Sequence, residues 1–200
     1  MTIDLFISCV MDQFYPDTAK NVVRVLNAAA VDVEYNPEQT CCGKFAFNSG
    51  FVDEAKELGE KFLRDFPNDR PIVGVSASCV GYIKKRYEEL FYNTASHLEY
   101  KRLVRNIFEF TDFLVNKINI LNFGAEFNHK VVYQDTCCSL RELGLKDEGR
   151  KLLSNVKGIE LLEMKYPEVC CGFGGGFFSI QHEAISVAMA ERKIKDAMAT

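Results

Sequence analysis

"YPEVCCGFGGGFF", residues 166–178, sets two cysteines side by side ahead of four glycines in five residues. The phrase has an earlier echo in "YNPEQTCCGKFAFNSG", residues 35–50, where the glycines are thinned out. Two copies of so rare a motif call for a common cause, and the other cysteines supply it. An offset of 128 carries Cys9 onto Cys137, and one of 129 carries Cys41-Cys42-Gly43 onto Cys170-Cys171-Gly172. A nearly constant offset marks an internal duplication.

The flanking segments agree with the repeat and decide the fold class. "IDLFIS" (3–8) and "KVVYQD" (130–135) are short apolar, β-branched runs that each end near a cysteine, and they read as buried strands. "VDVEYN" (31–36) and "IELLEM" (159–164) each precede a Cys-Cys-Gly loop, and "PIVGVS" (71–76) precedes Cys79. Helical patterns fill 17–30, 52–66, 80–91, 146–155 and 180–198. Strands alternating with helices give an α/β fold of two pseudo-repeated, Rossmann-like βαβ halves with mostly parallel strands. In such folds the loops at the carboxyl ends of the strands gather into one site, so the thiols of each half are expected to converge. The expected organisation is a first half at 1–95, a connecting helix at 96–125 and a second half at 126–200. The connecting helix rests on Leu103, Ile107, Phe110, Leu114, Ile118 and Leu121 at helical spacing. The second half is expected to be incomplete, because a counterpart of Cys79 and the strand before it would fall beyond Thr200.

Composition narrows the class of function. The chain of 200 residues is 48% apolar and carries a net charge of -4, with no dense Lys/Arg cluster. That argues against a nucleic-acid or anionic-membrane surface. No uncharged stretch is long enough to span a bilayer, and Asp4 interrupts the apolar start where a secretory signal would need continuity. A cytoplasmic setting is expected. There, eight cysteines are poor candidates for structural disulfides, which leaves metal binding, redox chemistry or plain burial.

Position argues for metal. Thiolates are the soft ligands of zinc and of iron–sulfur clusters. Zinc sites favour cysteine pairs separated by two to four residues, and no such pair occurs here. Adjacent side chains diverge, so both members of a Cys-Cys pair can ligate only where the centre is broad, as a multi-iron cluster is. A vicinal disulfide is the alternative in oxidised protein. Gly43, Gly172, Gly174, Gly175 and Gly176 would let backbone N–H groups approach a negatively charged cluster. "GFGGG" does not fit the spacing of a dinucleotide-binding loop. Ser78 reads as the cap of the helix that holds Cys79, with the helix end favouring its thiolate. Arg141, four residues after Cys137, reads as a surface cation or one that faces an anion at the site. His97, His129 and His182 lack metal-ligand spacing and read as structural or surface residues.

Taken in order, "SCVMDQFYP", "CCGKFAFNSG", "SASCVGY", "YQDTCCSLRELG", "LLSNVKGIELLEM" and "CCGFGGGFFSI" resemble the lactate utilization protein A family. That family belongs to the cysteine-rich CCG-domain group, which also includes the iron–sulfur subunit of glycolate oxidase and the CCG-containing subunit of heterodisulfide reductase. The resemblance implies an iron–sulfur subunit of a complex that oxidises L-lactate to pyruvate, inactive alone, with a ferredoxin-like iron–sulfur subunit and a third lactate-utilization subunit as partners. It implies a [4Fe-4S] cluster, noncubane in the heterodisulfide reductase relative. Its ligands would be Cys9, Cys41, Cys42 and Cys79 in the first half, with Cys137, Cys170 and Cys171 as counterparts in the second. Alternative roles are a thiol–disulfide oxidoreductase like heterodisulfide reductase and a structural metal-binding subunit. The sequence departs from the family pattern at Tyr82, which stands where the fullest motif has a further cysteine. It departs again at Gln134 and Cys138, which replace histidines, so the role of Cys138 stays open.

Overall fold

The computed structural model describes the backbone of residues 1–200 and the side chains of all but residues 175–177. The chain divides into two compact units, Met1–Ile120 and Leu121–Thr200.

The first unit is built on a four-stranded parallel sheet in the order β2-β1-β3-β4. Strand β1 (Thr2–Phe6) leads into helices α1 (Cys9–Phe14) and α2 (Pro16–Ala28), the latter started by a proline whose fixed φ suits a first turn. The chain returns as β2 (Asp32–Glu34), followed by α3 (Lys44–Asn48) and α4 (Val52–Asp65). Strand β3 (Ile72–Gly74) enters α5 (Ala77–Phe91), and α6 (His97–Asn106) leads to β4 (Ile107–Glu109). β1 is central, with Asp4 opposite both Glu34 and Ile72. Alternation along β1 sends Phe6 into an aromatic core, where its ring meets Phe62 edge to face at 4.8 Å. Phe66, Tyr87, Phe91 and Tyr100 continue that core and are all essentially inaccessible to solvent. Such pairs add about 0.5–1.5 kcal/mol each beyond the area they bury.

The connecting helix expected at 96–125 is not continuous. It breaks at Ile107–Glu109, which pair in parallel with Ile72–Gly74 as the fourth strand. Ile107 is fully buried, and Glu109 caps the next short helix, α7 (Phe110–Asp112), by accepting from the backbone N–H of Thr111 and Asp112. Pairing with the sheet edge overrides the helical spacing of the apolar stripe. A π-helical segment, Phe113–Lys117, follows.

The second unit holds two parallel strands, β5 (Lys130–Tyr133) and β6 (Glu160–Glu163), in register Val131 to Leu161. A π-helical segment at Cys138–Leu143 and α8 (Glu148–Leu153) connect them, and α9 (Gly175–Gln181) and α10 (Glu183–Met198) follow β6. Among the described residues, no helix is long and apolar enough to cross a membrane.

Candidate metal centre

In the first unit three strands deliver thiols to one place. Two residues past β1, the Ser8 hydroxyl caps α1 by accepting from the Met11 N–H, and Cys9 opens that helix exposed to solvent. The loop after β2 is pinned to β1 by Gln39, which accepts from the Ile7 N–H at 2.9 Å and donates to the Leu5 carbonyl at 3.1 Å. That tether sets Cys41 beside Cys9, with the sulfurs 3.7 Å apart. Cys42 turns inward and is buried, and the Tyr87 hydroxyl donates to its carbonyl at 3.0 Å. β3 delivers Cys79 on the first turn of α5. Cys42 lies within hydrogen-bond reach of both Cys41 and Cys79, so the four thiols form one row.

The row is electrostatically uneven. The Cys41 thiol is held far below its ordinary value by hydrogen bonds from Cys42 and Cys9, and by the Gly43 N–H. Cys79 is lowered by Cys42, then by the Ser76 hydroxyl and the charge of Lys44, against the opposing effect of burial. Cys42 is raised by sharing protons with Cys41 and Cys79 and by burial, and Cys9 is raised by its hydrogen bond to Cys41 and by burial. Sulfurs pushed toward the thiolate therefore alternate with sulfurs pushed toward the thiol. Soft, nearly deprotonated sulfur is the state that binds metal or attacks disulfides.

Gly43 has φ +89°, and a Cβ there would lie 2.8 Å from the Ala55 carbonyl oxygen. Only glycine fits this left-handed turn, which aims the Gly43 N–H at the Cys41 sulfur, 3.4 Å away. The second unit repeats the device. Gly172 has φ +86° and donates its N–H to the Cys170 sulfur at 3.4 Å. The cap of the Cys79 helix is Ser76 and not the expected Ser78, because Ser78 already lies in the first turn. Ser78 instead receives Lys44, whose Nζ donates to its hydroxyl at 2.9 Å and its carbonyl at 3.1 Å.

In the second unit Cys137 and Cys138 follow β5, and Cys170 and Cys171 follow β6, all half-buried. Arg141 is exposed on the π-helical segment. Gly174 adopts a left-handed conformation at the start of α9, and Gly175 and Gly176 fall outside the described side chains. A polar network that no motif announced also lies here. Arg150 forks onto buried Asp135, at 2.6 and 3.0 Å, and onto Glu163, at 2.6 and 2.9 Å, while lying over the Tyr133 ring. Asp135, two residues before Cys137, was its one legible signal. The histidines are structural: His97 accepts from the Asn93 N–H, and the rings of His129 and His182 lie against Phe127 and Phe178.

Among the described residues, no three His, Cys, Asp or Glu side chains surround a common point closely enough for a single ion. A row of four thiols on three loops suits a broader centre that spaces its ligands apart. The donor set fits a thiolate-held iron–sulfur cluster: soft ligands, an N–H aimed at sulfur and a nearby ammonium against negative charge. A cavity of about 460 Å³ between α2 and the sheet is lined by Leu5, Ile7, Val23 and Tyr35 rather than by the thiols.

The cysteine-rich CCG domain matches this chain in two segments, residues 3–84 and 131–200, one over each half of the repeat. Over its whole length the chain is 37% identical to lactate utilization protein A 2 of Bacillus cereus, covering 83% of that protein. It is 36% identical to lactate utilization protein A 1 of Bacillus anthracis, again covering 83%. With lactate utilization protein A of Oceanobacillus iheyensis it shares 38% identity over 96% of this chain and 79% of the relative.

Proposed function

This chain belongs to the lactate utilization protein A family of cysteine-rich CCG-domain proteins, and on that premise we propose that it is the electron-carrying subunit of a complex that oxidises L-lactate to pyruvate. The observation that carries the reading is the convergence of Cys9, Cys41, Cys42 and Cys79 from three strand-exit loops, with the Gly43 N–H on the Cys41 sulfur. These four would hold an iron–sulfur cluster of the [4Fe-4S] type, which when bound supplies one-electron transfer. The protein's own part is to present the sulfurs already partly deprotonated and to offset their charge with Lys44 and the Gly43 N–H. Cys42 would hold the group from the buried side and Cys9 from the solvent-exposed side. Oxidising lactate to pyruvate releases two electrons and two protons, and the electrons would leave singly for a ferredoxin-like iron–sulfur partner. A third subunit would complete the complex, and Phe14, Tyr15 and Phe45, close in sequence to Cys9 and Cys42, are exposed apolar side chains open to such partners.

The test is anaerobic isolation of the chain with assay of iron, sulfide and zinc. Iron and acid-labile sulfide in similar amounts support the reading, and stoichiometric zinc without sulfide sinks it. The isolated chain is expected not to reduce dyes with lactate until its partners are added.

A second reading has an observation of its own. Cys9 and Cys41 lie 3.7 Å apart, with Cys41 pushed toward the thiolate and Cys9 toward the thiol, which suits a dithiol. Cys41 would attack a substrate disulfide, and Cys9 would then displace it, giving a Cys9–Cys41 disulfide and two substrate thiols. Rapid, stoichiometric reduction of a low-molecular-weight disulfide by the metal-free protein, lost in Cys9→Ser, would favour it.

A further inference from the structure

Helix α5 carries two tyrosines under the thiol row, and they are treated differently. Tyr87 is fully buried and spends its hydroxyl on the Cys42 carbonyl. Tyr82 is also buried, 2% exposed, with its ring packed on Phe47 at 5.5 Å and edge-on to Tyr87 at 5.7 Å. Its hydroxyl has no hydrogen-bond partner among the described residues. A buried hydroxyl without a partner is costly, and native interiors rarely keep one without a reason. Tyr82 follows Cys79 by three residues, which places both on one face of α5. Its ring packs on Phe47, which follows the Cys-Cys-Gly turn, and on Tyr87, which bonds the Cys42 carbonyl, so Tyr82 sits against the loop that carries Cys41 and Cys42.

We propose that the Tyr82 hydroxyl donates a hydrogen bond to a sulfur of the bound iron–sulfur cluster, raising its reduction potential without ligating iron. The inference rests on the cluster reading given above. Burial above all pushes the phenol pKa up, so at neutral pH the group is a donor rather than a phenolate. Hydrogen bonds to cluster sulfurs stabilise the more negative, reduced state and so raise the potential. Phe47 and Tyr87 hold the ring on two sides, which fixes where the hydroxyl points.

The experiment compares the full-length wild type with Tyr82→Phe after anaerobic reconstitution. It measures iron and sulfide per chain, the visible spectrum and the midpoint potential by redox titration. The expected result is unchanged iron and sulfide, with the reduction equilibrium weakened about tenfold, or about 59 mV for a one-electron couple. An unchanged potential at equal iron content overturns the inference and leaves the cluster reading standing. Loss of iron together with a phenolate-to-iron absorption band would show Tyr82 to be a ligand, which also overturns it. A wild type that takes up no iron and sulfide overturns the cluster reading and this inference with it. Should Tyr82→Phe fail to fold by circular dichroism, fluorotyrosine placed at position 82 alone supplies a stronger donor of nearly the same shape. It must then raise the potential, and no rise overturns the proposal.

Discussion

Gly43 and Gly50 form a matched pair for testing how the Cys-Cys-Gly loop is held. Both have left-handed backbone, φ +89° and +86°, and both lie in the first unit. They differ in surroundings: a Cβ at Gly43 meets the Ala55 carbonyl oxygen at 2.8 Å, whereas one at Gly50 meets nothing within 4 Å. Forcing a non-glycine residue into this region costs roughly 1–2 kcal/mol. Replacing glycine also lowers the entropy of the unfolded chain and returns about 0.4–1 kcal/mol. Gly50→Ala should therefore lose about 1 kcal/mol. Gly43→Ala carries the same cost plus backbone displacement against Ala55, about 1–2 kcal/mol more by comparison with overpacked interiors. Its total loss should be about 2–3 kcal/mol. The assay is urea unfolding of metal-free, reduced protein followed by circular dichroism, paired with the alkylation rate of Cys42. Only Gly43→Ala should speed that alkylation, because Cys42 is 1% exposed and directly precedes the strained turn. Equal losses in the two variants, or Cys42 protected in both, would refute the argument that close packing on α4 holds the loop.

Other substitutions address each unit separately. Cys42→Ser should remove most bound iron and Cys171→Ser less, since the first unit gathers four thiols from three loops; iron per chain in folded variants measures this, and a larger loss from Cys171→Ser contradicts the assignment. Arg150→Met strands the buried Asp135 carboxylate and should cost about 3 kcal/mol, read as roughly hundredfold faster amide exchange at Val131–Tyr133; exchange within threefold of wild type would show that the fork is dispensable. Glu163 is held below its ordinary value near 4.5 by the Arg150 guanidinium, so its contribution to stability is present above that value and lost as pH falls through the lowered one. Protection of the β5–β6 amides should accordingly decline in acid, and Glu163→Gln should flatten that decline; an unaltered acid profile in the variant would count against the ion pair.

The repeat, the strand-exit cysteines and the α/β class were all legible in the chain itself. They depend on local apolar runs and on spacing, which a sequence states outright. Ile3, Leu5 and Phe6 announce a buried strand by composition alone, and β1 is where the structure has one. The β4 strand was hidden because Ile107 and Phe110 fit a helical stripe equally well, and only the free edge of β3 decided between the two. The cap of α5 at Ser76 rather than Ser78 likewise depended on where β3 released the chain. Lys44 reaching Ser78, Gln39 pinning Ile7, and Arg150 joining Asp135 to Glu163 span 34, 32 and 13 to 15 residues of chain. No local pattern encodes such contacts, because they form only once parallel pairing has brought the strand ends together. The convergence of the first-unit cysteines was readable from their places after the strands. The uneven push on their pKa values, and the Tyr82 hydroxyl left without a partner among the described residues, were set by burial and by neighbours distant in sequence.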